Sequence, residues 1–144
     1  MIVIDANVAA KWLLPEPGSD AAVALQEGPH HLFAPDLIRL EVSAALARRV
    51  KAAKDPLPPD EAVRRYRKWL DLLNRAVITL IPESELLDQA MDLAVEIKHS
   101  LQDCMYLAAA RGLKATLITA DRPFHDRAVH FYERIAMLPG YKAN

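Results

Sequence analysis

Two aspartates follow short apolar segments of the kind that form buried strands. Asp5 closes the segment Ile2–Ile4. Asp121 follows the segment Leu117–Thr119 by two residues. Each aspartate taken alone fits the N-cap of a following helix, which is the structural alternative. Because open parallel sheets bind ligands along the edge where their strands end, the two carboxylates together indicate one candidate site.

Glu41 lies in a long predicted helix and points away from that helix's polar side. At about 100° per residue, its side chain lies about 200° from those of Arg39 and Ser43. Its neighbours on the same face are apolar, namely Leu37 and the alanines that follow Ser43. An ionised carboxylate left unpaired there is costly, so Glu41 requires a cation. That cation is either an arginine in a buried salt bridge or a metal ion.

Asp103 stands three residues after Ser100, in the pattern of a capping box at the start of an apolar helix. Helix capping is therefore the structural explanation of this acid. A helix that begins at the strand-end edge would also bring Asp103 close to Asp5 and Asp121. Like charges gathered that closely need a divalent cation, and hard carboxylate oxygens favour Mg²⁺ or Mn²⁺.

Other polar residues give weaker signals. Asp126 follows Asp121 by five residues and is an auxiliary metal ligand or a solvated helix residue. Asn7 either contacts substrate or water, or shares the capping of Asp5. The five histidines have no common spacing, which favours solvated or core positions over a ligand set. A group of basic residues forms either a solvated helix face or a phosphate contact: Arg48, Arg49, Lys51, Lys54, Arg64, Arg65, Arg67 and Lys68.

Apolar β-branched segments alternate with helical stretches, which predicts an α/β fold with a central parallel sheet and helices on both faces. The predicted strands are residues 2–4, 77–81 and 115–119, with 31–34 and 134–137 as weaker candidates. The composition of 134–137 also suits the end of a helix. The predicted helices are residues 22–27, 36–54, 60–75, 83–97 and 101–112. We expect Pro35 and Asp36 to open the second helix and Gly112 to end the last one. The proline-rich tract 55–60 should turn the two long helices into a hairpin.

Composition indicates one globular domain spanning residues 1–144. The chain is 52% hydrophobic and 26% charged, which suits a soluble protein with its own core. Its single cysteine, Cys104, excludes an internal disulfide and fits a reducing cytoplasm. The strand at Met1–Asp5 leaves no room for an export signal, and no apolar run approaches a membrane span. A net charge of −1 gives no general attraction to nucleic acid, so local charge must decide.

The four acids and their surroundings resemble the PIN domain, and more closely the VapC toxins of toxin–antitoxin pairs. The resemblance runs from Met1 to about Ala136 and is carried by Val3-Ile-Asp-Ala-Asn7, by an isolated Glu41 on a long helix after Pro35, by Asp103-Cys-Met-Tyr-Leu-Ala108, and by Thr119-Ala-Asp121. The sequence departs from the usual pattern at Cys104, where a smaller residue is commoner, and at Asn7, where serine or threonine is commoner. Neither departure removes an acid.

The resemblance implies a three-layer α/β/α sandwich with endoribonuclease activity. It implies that Asp5, Glu41, Asp103 and Asp121 are catalytic and hold Mg²⁺ or Mn²⁺. Asn7 and Thr119 would support these acids or contact the substrate. RNA would be the substrate, a small antitoxin the inhibitor, and a homodimer the expected assembly. Attack by water on the phosphodiester would leave a 5′-phosphate and a 3′-hydroxyl.

Two other functions remain open from the sequence. A PIN-like scaffold without catalysis would bind partners only, although such a scaffold has no need to keep all four acids. An aspartyl phosphotransferase would also place an aspartate after a parallel strand. That class expects a second aspartate two residues after the first, where this chain has Asn7, and a lysine near its last strands, where this chain has Pro82 after Ile81.

Overall fold

A five-stranded parallel sheet forms the centre of the computed structural model, which describes residues 1–139. The strands are β1 (Ile2–Ile4), β2 (Leu32–Pro35), β3 (Ile78–Ile81), β4 (Thr116–Thr119) and β5 (Ile135–Met137). Their spatial order is β3-β2-β1-β4-β5, and every neighbouring pair is parallel. The predicted parallel sheet is confirmed, with strand boundaries within one residue of those expected.

Helices cover both faces of this sheet and complete the predicted three-layer α/β/α sandwich. They are α1 (Ala6–Ala9), α2 (Ser19–Glu27), α3 (Ile38–Val50), α4 (Pro59–Asn74), α5 (Leu87–Ile97), α6 (Leu101–Leu113) and α7 (Arg122–Ala128). Short 3₁₀ turns cover Ala10–Trp12 and Glu83–Glu85. The predicted helix 83–97 is therefore divided, because the backbone makes a 3₁₀ turn before α5 begins.

The predicted start of the hairpin's first helix is wrong. Pro35 belongs to β2, where it pairs with Ile81, and it contributes no cap. Asp36 does not cap either, because its Oδ1 accepts a hydrogen bond of 2.8 Å from Arg39 Nε. The N-cap residue is Leu37, which has no side-chain hydrogen bond to the helix. The helix also ends at Val50, four residues earlier than expected.

The predicted end of α6 is wrong as well. Gly112 lies inside the helix, and the chain leaves it at Lys114, which adopts a left-handed conformation with φ 54°. The backbone N–H of Lys114 donates to Arg111 O, which closes the last turn. A lysine thus takes the conformation for which glycine is the commoner residue.

The sheet centre and α6 provide the rigid frame of the molecule. All three residues of β1 are buried, and so are the seven consecutive residues Cys104–Ala110 of α6. A helix that is apolar on all sides must be enclosed, and α6 packs across β1, β2 and β4. Since β1 pairs with β2 on one side and β4 on the other, the chain reverses its winding direction there, which is where α/β sheets form ligand clefts.

Among residues 1–139, no helix is both long and apolar enough to cross a membrane. The predicted domain extends to residue 144, and its last five residues lie outside the described part of the chain.

Candidate active site

Asp5 lies at the carboxyl end of β1 and is only 3% exposed. Its Oδ1 accepts a hydrogen bond of 2.8 Å from the backbone N–H of Ala6, so it does cap α1 as the structural alternative supposed. Its Oδ2 accepts hydrogen bonds from the Thr119 hydroxyl at 2.8 Å and from Asn7 Nδ2 at 3.3 Å. Capping and site formation are therefore compatible in this residue.

Asn7 and Thr119 connect the ends of β1 and β4. The Asn7 side chain donates to Asp5 and accepts a hydrogen bond of 3.0 Å from the backbone N–H of Ala120. Thr119 is fully buried, and its Oγ1 accepts a hydrogen bond of 3.0 Å from the backbone N–H of Asp121. Thr119 therefore contacts both Asp5 and Asp121, whereas Asn7 also lines a cleft that Asp5 borders.

Asp121 is the N-cap of α7 and lies on the same sheet edge as Asp5. Its Oδ1 accepts a hydrogen bond of 3.1 Å from the backbone N–H of Phe124, which leaves Oδ2 without that role. Asp126 is 60% exposed, and its Oδ1 lies 2.9 Å from His125 Nδ1. Neither acid is among the residues that line the cleft.

Glu41 approaches the site from α3. Its Oε1 accepts a hydrogen bond of 2.7 Å from the hydroxyl of Tyr106, a fully buried residue of α6. No arginine of residues 1–139 forms a salt bridge with Glu41, so the predicted alternative of a buried arginine pair is wrong. A neutral hydroxyl holds one carboxylate oxygen, and the negative charge of Glu41 stays uncancelled at this contact.

Asp103 stands in the first turn of α6, but its carboxylate does not cap the helix. The N-cap is Ser100, whose hydroxyl accepts a hydrogen bond of 3.2 Å from the backbone N–H of Asp103. The carboxylate Oδ2 instead lies 2.5 Å from His99 Nε2. The His99 ring stacks on Phe124, with ring centroids 4.9 Å apart. Of the predicted capping box, only the bond to the Ser100 hydroxyl is therefore present. The Asp103 carboxylate contacts His99 instead of the backbone N–H of Ser100.

Asp5, Glu41 and Asp103 meet in a cleft of about 350 Å³, together with Asn7, Lys11, Glu16 and Arg48. The three acids come from β1, α3 and α6, so the fold brings together residues that are far apart in sequence. Within residues 1–139, no three His, Cys, Asp or Glu side chains are grouped tightly enough to hold one metal ion as they stand.

The cleft raises the pKa of two of its acids. Burial, followed by the charge of Asp103, raises the pKa of Asp5 from 3.8 to about 7 against the hydrogen bonds from Thr119 and Ala6. Burial also raises the pKa of Glu41, while Tyr106 and Arg48 act in the opposite direction. The pKa of Tyr106 is raised well above its ordinary value, first by burial and then by the neighbouring carboxylates, so its hydroxyl remains a donor.

Sequence reasoning missed His99 and Tyr106. His99 was assigned with the other histidines to solvated or core positions, although its spacing of four residues before Asp103 was a signal. Tyr106 looks like an ordinary core residue of an apolar helix. Its bond to Glu41 joins positions 65 residues apart, which no local pattern reveals.

Comparison with known proteins identifies the family to which the chain belongs. The PIN domain family matches residues 2–129, and the chain belongs to that family. Among curated proteins it is similar to ribonuclease VapC9 of Mycobacterium tuberculosis and to VapC ribonuclease Mb0985 of Mycobacterium bovis. The identity is 28% over 126 residues in both cases, covering 88% of this chain and 90% of each relative.

Two solved structures share the fold. One is a toxin–antitoxin complex from Klebsiella pneumoniae, with a TM-score of 0.70 at 15% identity over 99% of this chain and 100% of the other. The second is VapC20 of Mycobacterium tuberculosis, a toxin that cleaves the sarcin–ricin loop, with a TM-score of 0.62 at 17% identity over 86% and 92% of the two chains.

The raised pKa of Asp5 predicts a pH-dependent difference between wild type and Asp5→Asn. In the folded protein Asp5 binds its proton more tightly than in the unfolded chain, so it contributes stability at low pH that is lost as the pH rises from about 4 to about 7. Without divalent cations, the free energy of unfolding of wild type minus that of Asp5→Asn should fall over this range. The fall should reach roughly 3 to 4 kcal/mol at most, at about 1.4 kcal/mol per pKa unit.

Urea unfolding in chelator at pH 4.5, 6 and 8 measures this difference. The exposed aspartate variant Asp88→Asn serves as the control and should run parallel to wild type. If the curves of wild type and Asp5→Asn are also parallel across the three pH values, Asp5 does not titrate as described.

Proposed function

We propose that this protein is a divalent-metal-dependent endoribonuclease and the toxin of a toxin–antitoxin pair. The observation that carries the proposal is the convergence of Asp5, Glu41 and Asp103 in one cleft at the strand-end edge of a PIN domain. Relatives named as VapC ribonucleases support the reaction, and the match extends over nearly the whole length of both chains. The same proposal treats residues 1–144 as one domain acting in the cytoplasm.

The residues of the cleft fit Mg²⁺ or Mn²⁺. They offer carboxylate oxygens, which are the ligands these hard cations prefer, and no thiolate. Cys104 is buried, and burial together with Asp103 raises the pKa of its thiol to about 11. The raised pKa values of Asp5 and Glu41 reflect burial and mutual repulsion that a divalent cation would relieve. We expect ion binding to draw the carboxylates closer together.

The acids have distinct parts in this scheme. Asp5, Glu41 and Asp103 would hold the cation in the cleft. Asp121 would be the fourth catalytic acid and the fourth metal ligand; its backbone N–H is linked to Asp5 through the Thr119 hydroxyl. Asp126 would be at most an auxiliary ligand. A bound divalent cation would offset the charge of the phosphodiester and lower the pKa of an attacking water. Hydrolysis by water leaves a 5′-phosphate and a 3′-hydroxyl.

Four neighbouring side chains orient the acids. Tyr106 fixes one oxygen of Glu41, and His99 lies against one oxygen of Asp103. Asn7 and Thr119 both donate to the same oxygen of Asp5. Each carboxylate is thus held in place, while a further oxygen or lone pair can face the cleft. Partners of this kind are known to strengthen metal binding without contacting the ion.

The proposed partners are an RNA substrate, an antitoxin protein and a second copy of the chain. The structural similarity to a chain of a toxin–antitoxin complex supports the antitoxin. Exposed apolar side chains on the α3–α4 hairpin support a homodimer: Leu40 is 68% exposed, Val63 49% and Tyr66 40%. Burying such large apolar side chains against a partner would stabilise the dimer.

Replacing each proposed metal ligand by its amide should abolish cleavage of single-stranded RNA. For Asp5→Asn, Glu41→Gln, Asp103→Asn and Asp121→Asn, we expect kcat/KM to fall by more than about 100-fold, since loss of a ligand should exceed loss of a supporting residue. The assay uses Mg²⁺, Mn²⁺ and chelator, with circular dichroism to check folding. Asp88→Asn should keep wild-type activity. Full activity in chelator, or in any two of the four variants, would contradict the metal mechanism.

Tyr106→Phe should weaken Mn²⁺ binding by about 10- to 100-fold, because Glu41 loses the donor that fixes its Oε1. Calorimetric titration of the folded variant with Mn²⁺ measures this directly, without an activity readout. The matched control is Tyr132→Phe, which removes a hydroxyl bonded to the carbonyl of Ala115 at the other end of α6. Equal Mn²⁺ affinity in wild type and Tyr106→Phe would show that Tyr106 does not position Glu41 for metal binding.

Expression of the chain alone in a bacterial host should arrest growth, and Asp5→Asn should not. Co-expression of the small protein encoded next to it should restore growth and yield a stable complex. Harmless expression of the wild-type chain, with no binding by that neighbour, would contradict the toxin assignment. The ribonuclease function would then be decided separately, by the assay of RNA cleavage in vitro.

A further inference from the structure

Arg48 is an arginine of the acid cleft whose guanidinium has no hydrogen-bonded partner among residues 1–139. It lies near the end of α3, its side chain is exposed, and it lines the same cleft as Asp5, Glu41 and Asp103. Its side chain forms no hydrogen bond or salt bridge within residues 1–139, although its charge is close enough to favour ionised Glu41. A guanidinium offers five donors in a planar fork that matches phosphate oxygens.

The acid cleft continues past Arg48 into a second depression along α3. That depression is lined by Leu14, Glu16, Ala45, Arg48, Arg49 and Ala52. Three of these residues, Glu16, Ala45 and Arg48, also line the acid cleft, so the two form one continuous surface. Ala45 and Ala52 contribute only small side chains to this surface, and Arg48 lines both depressions.

The other depression that includes Glu16 has the opposite charge. It is lined by Glu16, Gly18, Ser19, Asp20, Ala21 and Pro139, with two acids and no lysine or arginine. A polynucleotide carries a negative charge at every phosphate and is repelled by such a surface. Of these two directions away from the cleft, only the one along α3 is electrostatically favourable for an RNA strand.

The charge of the whole chain is divided in the same way. Residues 38–75, here called the basic hairpin, carry 10 Lys+Arg and 5 Asp+Glu, a net charge of +5. The rest of the chain carries 8 Lys+Arg and 14 Asp+Glu, a net charge of −6. The near-neutral total therefore conceals a basic region that begins at the acid cleft, and such a region attracts a polyanion locally.

We propose that Arg48 and Arg49 bind consecutive backbone phosphates of single-stranded RNA as the strand leaves the acid cleft along α3. This rests on the proposed ribonuclease function and adds the path of the substrate. Arg48 contacts the phosphate nearest the acids, and Arg49 contacts the next one. The competing explanation is that two arginines in the last turn of α3 only offset the negative end of the helix dipole.

RNA binding measured in chelator separates binding from cleavage. The probe is a fluorescent 12-nucleotide uridine oligomer, titrated by anisotropy at several salt concentrations against wild type, Arg48→Gln, Arg49→Gln and the double variant. Each lost phosphate contact should lower the slope of log affinity against log salt by about 0.7, or about fivefold in affinity near 0.1 M salt. Arg48→Lys keeps the charge and should keep most of the slope.

Arg75→Gln is the matched control, because it removes an exposed arginine whose guanidinium already pairs with Asp71 at 3.0 Å. It should leave both affinity and slope unchanged. Thermal unfolding of all variants reports the helix-dipole contribution, which the RNA slope does not contain. The proposal is overturned if Arg48→Gln and Arg49→Gln bind the oligomer like Arg75→Gln.

Two further results separate this proposal from the function on which it rests. If wild type cleaves RNA and the arginine variants cleave it with unchanged kcat/KM, the path is wrong and the ribonuclease function stands. If the variants keep their RNA affinity but no longer bind the small neighbouring protein, the surface belongs to a protein partner and the proposal is overturned. Absence of any RNA cleavage by wild type contradicts the ribonuclease function itself.

Discussion

The constraint on which the site depends is the burial of an aspartate among other acids. Asp5 is almost enclosed, and the charge of Asp103 adds to the cost of ionising it. Only a frame that cannot relax would keep these carboxylates together. The buried strand β1 and the buried segment of helix α6 supply that frame, because moving Asp5 or Asp103 away would disturb these buried elements. The stability of the core thus offsets the repulsion within the cleft.

The hydroxyl and amide groups that hold Asp5 and Glu41 are uncharged, and this has a chemical consequence. A lysine or arginine bonded to each carboxylate would stabilise the apo protein but would also cancel the charge that attracts a divalent cation. The hydroxyls of Tyr106 and Thr119 and the amide of Asn7 fix carboxylate oxygens without that cancellation. The pKa of Tyr106 is raised well above its ordinary value by burial, so it stays protonated at any working pH. Keeping these acids buried costs stability, as is common at functional sites.

Much of the fold could be predicted because strand and helix periods are local properties of the sequence. Short apolar segments, β-branched in three of the five strands, located every strand to within one residue, and the order of elements implied the parallel sheet. Helix ends were harder, since Gly112 and the Pro35–Asp36 pair carry the usual capping signals but tertiary packing placed the ends elsewhere. Acids at strand ends could be nominated from the sequence. The roles of His99 and Tyr106 could not, because they arise from contacts between side chains that only the folded chain brings together.

In the proposed ribonuclease, an acidic cleft has to bind an RNA strand whose backbone is also negatively charged. The carboxylates of Asp5, Glu41 and Asp103 repel a polyanion as long as no cation is bound. RNA binding would therefore need a positively charged surface next to them. The basic hairpin meets this need, because α3 carries Glu41 near its start and Arg48 two turns later on the same side of the cleft. One helix thus presents to the cleft both an acid and a guanidinium that forms no hydrogen bond or salt bridge within residues 1–139. The net charge of −1 follows from these opposed regions, and for that reason total charge is a poor guide to nucleic-acid binding in a protein of this kind.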